Sequence, residues 1–172
     1  MKQIDFENGT ITQNIFMAAI PMLVAQVLNL LYNIVDRIYI ARIPGVGTTA
    51  LGAVGLCFPV IMIITAFSNL FGSGGAPLFS IERGRGNREN AGRILNTSFS
   101  MLALASIVLM LAGLIFARPI LTLFGASADA LVYACPYLMI YLLGTFPSMI
   151  ATGMNPFINA QGYATTGMLS VA

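Results

Sequence analysis

The sequence predicts an all-α integral membrane protein, a polytopic bundle of transmembrane helices, and three observations lead to this fold class. Hydrophobic residues make up 58% of the 172-residue chain and charged residues only 8%, whereas soluble domains carry about a quarter charged residues. Four segments are apolar over at least the roughly 20 residues that an α-helix needs to cross a bilayer. The connections between them are short, so consecutive helices should be antiparallel neighbours.

The predicted helices follow one another over residues 12–43, 49–81, 91–116 and 130–160. The first, second and fourth are longer than a bilayer requires, and we expect them to kink at Pro21, Pro59 and Pro147. A fifth helix begins near residue 165 and stops after a few residues. We therefore interpret residues 1–172 as an incomplete amino-terminal lobe of a larger polytopic protein, with four complete transmembrane helices and the start of a fifth.

Arginines are unevenly distributed among the connections, and this predicts the orientation in the membrane. The first and third connections offer only Arg42 and Arg118, whereas the second connection and its flanks contain Arg83, Arg85, Arg88 and Arg93. Positive residues favour the cytoplasmic side of a membrane. We expect the second connection and the amino-terminus to be cytoplasmic, in a multi-pass protein of the cell (plasma) membrane. The polar start of the chain does not have the pattern of a signal peptide.

The first predicted helix carries a stripe of polar side chains. Its members are spaced by three, four and three residues, and they are Gln26, Asn29, Asn33 and Asp36. At about 100° per residue they fall within an arc of roughly 80°. Amides and a carboxylate facing lipid would lack hydrogen-bond partners at a cost of up to several kcal/mol. The stripe must therefore face protein or water, and we predict that it lines a polar cavity.

The fourth predicted helix repeats this pattern. Its polar residues are Thr145, Ser148, Thr152, Asn155 and Asn159, spaced three, four, three and four apart. The hydroxyls can bond back to carbonyls of their own helix, so they can be purely structural. The two asparagines cannot be satisfied in this way as easily. We predict that the first four members of this stripe also line the cavity.

The second predicted helix has small and polar residues along one face: Thr65, Asn69, Gly72, Ala76 and Ser80. Its cytoplasmic half contains the segment GSGGAP, residues 72–77. Small residues let helix backbones approach closely, so Gly72, Gly75 and Ala76 are predicted helix-packing residues. The alternative is a locally unwound segment, of the kind at which transporters bend.

Adjacent Asp36 and Arg37 raise the question of what a charged pair does near the end of a membrane helix. One interpretation is an interfacial pair, in which Arg37 extends to the lipid headgroups and Asp36 neutralises it. However, adjacent residues diverge by about 100° on a helix and do not face each other. Asp36 continues the polar stripe, and an intramembrane carboxylate is by default an ion or proton site. We therefore predict cation coupling at Asp36.

Composition and motifs argue against several functional classes. The chain has no histidine, and Cys57 and Cys135 stand apart without metal-ligand spacing, so we expect no metal site and no cofactor. Basic residues are not interleaved with aromatics, which argues against nucleic-acid binding. There is no catalytic triad or HExxH motif, and GSGGAP lacks the Lys-Ser/Thr of a phosphate-binding loop. We do not expect an enzyme.

With these residues in view, the chain resembles the multidrug and toxic compound extrusion (MATE) transporters, particularly their bacterial branch. The resemblance rests on the order of four segments: NIVDRIYIAR after Pro21, GSGGAPLFSIERGRGN, ARPILTLFGAS and NPFINAQG. It implies twelve helices in two six-helix lobes around a central cavity, and it implies that Asp36 matches a carboxylate that the family uses for cation coupling. This chain has Asn159 where the family often has an arginine.

The resemblance implies a secondary antiporter that exports organic, often cationic and amphipathic, compounds in exchange for protons or sodium ions. The expected partners are the lipid bilayer, a small-molecule drug and the carboxy-terminal lobe, which lies outside this chain. An alternative is a lipid-linked oligosaccharide flippase of the same superfamily, which would need several basic residues in its cavity. A structural membrane protein would explain the small-residue packing but not two amide-bearing stripes.

Overall fold

A computed structural model describes residues 10–171 of the chain. These residues form a bundle of α-helices without strands in the described range: α1 (Ile11–Ala41), α2 (Gly47–Gly84), α3 (Arg88–Leu123), α4 (Ala128–Leu143), α5 (Thr145–Ala160) and α6 (Ala164–Val171). Within this range, α1, α2 and α3 are each long and apolar enough to cross a membrane, and α4 with α5 would form a fourth span. The predicted all-α membrane fold is confirmed.

The predicted fourth helix is broken in the structure. We expected one helix over residues 130–160, but α4 and α5 meet at Gly144 with a bend of 55°. Pro147 explains the position of the break, because a proline has no N–H to donate to the carbonyl four residues earlier and its ring clashes with that carbonyl. The helix restarts when Ser148 donates its backbone N–H to the carbonyl of Gly144 (3.1 Å).

The third helix extends further than its predicted end at residue 116. It continues to Leu123 through Pro119, because the fixed φ of a proline suits a helix and only one backbone hydrogen bond is lost. Our prediction that this helix ends at residue 116, with Arg118 in the third connection, was therefore wrong. The helices α1 and α2 likewise continue through Pro21 and Pro59.

The turn between α2 and α3 is short, and local hydrogen bonds fix its conformation. Gly86 has φ of +77°, a conformation that glycine adopts without the steric cost of a side chain. The backbone N–H of Asn87 donates to the carbonyl of Glu82 (2.9 Å), which closes the end of α2. The Asn87 side chain then accepts from the backbone N–H of Asn90 (3.2 Å) and caps the start of α3. This geometry fixes the charged end of the α2–α3 hairpin.

The core lies around α2, which packs against α3, α4 and α5. The buried side chains here are mainly small or aliphatic: Ala53, Cys57, Val60, Ile64, Leu102, Ala117, Leu121, Ala134, Leu138, Leu142 and Met149. In contrast, α1 packs mainly against α2 and α6, and none of its described residues is buried. The helix that carries the first polar stripe is thus peripheral in this part of the protein.

Candidate functional site

The structure leaves most of the first polar stripe exposed. Gln26, Asn29 and Asn33 are all exposed on α1, and the Asn33 amide donates to the backbone carbonyl (2.8 Å) and the side-chain oxygen (3.0 Å) of Asn29. Leu30 and Leu31, on other faces of the same helix, are also 61% and 51% exposed. Neither face is covered by the described helices, so the prediction that this stripe lines a cavity stays a prediction.

Asp36 differs from the rest of its stripe because it is half-buried. Its carboxylate interacts electrostatically with the phenol of Tyr137 on α4. Within the described residues it takes part in no ion pair and no hydrogen bond. The oxygens of this acid therefore have no protein partner within the described residues.

Arg37 has a separate partner. Its guanidinium lies over the ring of Phe58 on α2, 4.8 Å from the ring centroid, in the geometry of a cation–π contact. Arg37 contacts α2 and forms no ion pair with Asp36 in the described part of the chain, in keeping with the divergence of adjacent residues on a helix. The two charges do not neutralise each other in the structure, which favours a separate role for the acid.

The hydroxyl residues of the second stripe bond mostly to the backbone. Thr145 is fully buried and donates to the carbonyl of Tyr141 (3.3 Å) across the α4–α5 break. Ser148 is exposed, and Thr152 lies within hydrogen-bond distance of the Ser148 carbonyl (2.8 Å). These contacts satisfy the hydroxyls of Thr145 and Thr152 within the bundle.

Ser68 is a buried polar residue that sequence reasoning missed. It is 3% exposed and its hydroxyl lies 2.8 Å from the hydroxyl of Thr152 and 3.4 Å from the carbonyl of Met149. It joins α2 to α5 in the interior of the bundle. Thr65 and Asn69, which we had placed with Gly72 on one face of this helix, are exposed instead.

The asparagines near the end of α5 hold α6. The amide of Asn155 donates to the carbonyl of Gly167 (2.5 Å) and to the hydroxyl of Ser170 (3.1 Å). The amide of Asn159 donates to the side-chain oxygen of Asn155 (2.8 Å), and its own oxygen is buried against Gly167 without a hydrogen-bond partner. In the described part of the chain these groups form a helix-to-helix junction.

Glycines bring α2 and α5 into backbone contact. A Cβ added to Gly72 would overlap the carbonyl oxygen of Gly153 and lie 2.9 Å from its Cα. A Cβ at Gly75 would overlap the hydroxyl of Ser98 and lie 2.8 Å from the ring of Phe157. Ala76 is also buried. The segment 72–77 is continuous α-helix, so the unwound alternative does not describe this structure.

Long apolar helices that pack through glycines in the core, with a half-buried acid on a peripheral helix, define a polytopic helical membrane protein. The chain belongs to the MatE family, whose family model matches residues 21–172. This match confirms the resemblance that the ordered segments of the sequence indicated.

Three curated relatives are similar to the chain. They are the multidrug export protein MepA of Staphylococcus haemolyticus (24% identical over 166 residues, 96% of this chain and 36% of the relative), the probable multidrug resistance protein YoeA of Bacillus subtilis (28% over 136 residues, 73% and 29%), and the FAD transporter of Shewanella oneidensis (26% over 149 residues, 87% and 31%). The chain spans about a third of the length of these relatives. No solved structure matches it significantly.

Proposed function

We propose that the full-length protein is a secondary antiporter that exports organic, often cationic and amphipathic, compounds in exchange for protons or sodium ions. Membership of the MatE family and the multidrug-export names of two relatives support this proposal. The observation that carries it is Asp36, a half-buried carboxylate on a membrane helix without an ion-pair partner in the described residues. An ionisable side chain within a membrane helix is costly, and such residues mark ion and proton pathways.

Asp36 supplies the coupling step in this proposal. A carboxylate loses its charge when it takes up a proton, and it holds sodium through its oxygens with the help of neighbouring oxygen ligands. The phenol of Tyr137 is the neighbouring group on α4 that interacts with this charge. Loading the acid changes the charge carried by α1, and a ligand that interacts differently with two arrangements of the protein shifts their populations.

The exposed amides of α1 fit the binding of the exported compound. Gln26, Asn29 and Asn33 present donors and acceptors next to the large apolar side chains of the same helix. Ligand pockets combine apolar walls with a few placed polar groups in this way. The flippase alternative needs basic groups in the cavity to bind a pyrophosphate. Arg37 is the basic residue next to the polar stripe of α1, but its guanidinium stacks on the ring of Phe58.

The function is tested by reconstituting the full-length protein into vesicles loaded with a fluorescent cationic dye. We expect efflux when an inward proton or sodium gradient is imposed, and no efflux when an ionophore dissipates that gradient. Imposing each gradient alone identifies the coupling ion. Efflux that persists without any ion gradient would contradict antiport.

We also propose that the α2–α3 turn is cytoplasmic and the α3–α4 turn external, with a cytoplasmic amino-terminus in the plasma membrane. Both turns are exposed at opposite ends of α3. In a background lacking Cys57 and Cys135, single cysteines at Ser127 and Asn87 should differ towards a membrane-impermeant thiol reagent. We expect labelling at position 127 and none at position 87 in intact cells, because four arginines flank position 87 and arginines favour the cytoplasmic side. The reverse pattern would invert the topology.

A further inference from the structure

A pocket at the charged end of the α2–α3 hairpin plays no part in the proposed antiport. It has a volume of about 460 Å³ and lies between the end of α2 and the start of α3. One of its walls is apolar and consists of Leu78, Ile81 and Ile94. Leu78 and Ile81 are 56% and 51% exposed, although they precede the charged turn directly. This wall lies where the apolar part of the membrane helix ends.

The rest of the pocket lining is polar and carries more basic than acidic groups. Arg85 and Arg93 line it together with Glu82 and Asn90. Arg85 donates one hydrogen bond to Glu82 (2.9 Å) and Arg93 donates one to Glu89 (2.8 Å). A guanidinium has five N–H donors, so each arginine keeps most of its donors. Both side chains are more than 70% exposed, so these donors are open to a ligand.

The whole end of the hairpin is positively charged. Arg83 and Arg88 add to the two pocket arginines, so half of the eight Lys and Arg residues of the chain lie here, against two glutamates. Arg83 is placed over the ring of Phe79, 5.8 Å from its centroid. The charge therefore sits on a fixed turn beside the pocket and complements an anion.

We propose that this pocket binds an anionic phospholipid. The guanidinium groups of Arg85 and Arg93 hold the phosphate, which arginine binds with its fork of donors. The glycerol and the first part of an acyl chain lie against Leu78, Ile81 and Ile94. Basic pockets at the ends of transmembrane helices bind anionic headgroups in this way. Arginines that only set the orientation in the membrane need to supply nothing but charge. Here the arginines also border a pocket with an apolar wall.

Native mass spectrometry of the full-length protein in detergent, with added phosphatidylglycerol or phosphatidylcholine, tests this proposal. We expect wild-type protein to retain phosphatidylglycerol preferentially. Each arginine near an anionic lipid contributes roughly fivefold in affinity, so replacing both, in R85Q/R93Q, should weaken binding by about thirtyfold. The matched control is Arg118→Gln, at the other end of α3, which should change nothing. Equal losses in both variants would overturn the site.

A second variant keeps the proposal testable if the double substitution prevents folding. Glu82→Gln removes the acid that competes for Arg85, and we expect it to tighten phosphatidylglycerol binding by about fivefold. Asp129→Asn removes the same charge at the opposite end of the bundle and should leave binding unchanged. An unchanged affinity in Glu82→Gln would contradict the proposal. If glycerol 3-phosphate competes as well as the lipid does, the site binds soluble phosphates and the lipid proposal is wrong. If the protein does not prefer phosphatidylglycerol to phosphatidylcholine, the rest of the protein fills the pocket and the proposal is also wrong.

Discussion

Replacing Asp36 by asparagine should abolish gradient-driven export by the full-length protein while leaving its fold intact. Asparagine keeps the size and the hydrogen-bonding capacity of the side chain, so the packing of α1 against α2 should survive. It cannot gain or lose a charge with a proton, nor neutralise a sodium ion. We expect dye efflux to fall to that of protein-free vesicles under either gradient, at normal membrane expression.

Arg37→Gln is the matched comparison for this experiment, because it removes the adjacent charge on the same helix. Its guanidinium stacks on Phe58, an interaction worth about 0.5–1 kcal/mol at an exposed site. We expect a modest loss of stability and nearly normal export. If Asp36 merely neutralised Arg37, both variants would behave alike. Wild-type efflux from Asp36→Asn would remove this carboxylate from the mechanism.

Local pattern predicted the parts of the fold that depend on apolar length. The spans that became α1, α2 and α3 stand out because each exceeds the bilayer thickness. The end of α3 was placed too early, because Arg118 and Pro119 are typical of a connection although a helix accommodates both. The kink expected at Pro147 is present but lies at Gly144, three residues earlier, because a proline specifies a bend without specifying which residue absorbs it.

In the candidate site, too, some features could be predicted from the sequence and others could not. Helical spacing places Asp36 on one face with Asn29 and Asn33, but it does not predict that Asp36 is half-buried while the two asparagines are exposed. Ser68 lies four residues before Gly72, in line with the buried residues of α2, so helical spacing could have placed it on the packing face. Its partner Thr152 lies 84 positions away, and that pairing could not be predicted from the sequence. Pairing between distant helices is decided by how the bundle packs, and one helix alone does not record it.

The contact between α2 and α5 leads to the second prediction with a large expected effect. At Gly72 any side chain would overlap the backbone of Gly153, and backbone atoms cannot move aside as the end of a flexible side chain can. Separating the two helices would also disturb the neighbouring hydrogen bond between Ser68 and Thr152. Overpacking a well-packed core costs about 1–3 kcal/mol, and here the strain falls at the centre of the bundle.

We therefore expect Gly72→Ala to lower the free energy of unfolding of the full-length protein in mild detergent by about 1–3 kcal/mol, and Gly72→Leu to prevent folding. The matched control is Gly74→Ala, two residues along the same helix, where an added Cβ meets nothing within 4 Å. Alanine favours a helix over glycine by up to about 1 kcal/mol, so this variant should be at least as stable as wild type. The stability of both variants can be measured by thermal unfolding without tryptophan fluorescence. A thiol-reactive dye that labels buried Cys57 when the protein unfolds is one such probe. If Gly72→Ala and Gly74→Ala unfolded at the same temperature, α2 and α5 would not be in backbone contact, and glycine at position 72 would serve flexibility instead of packing.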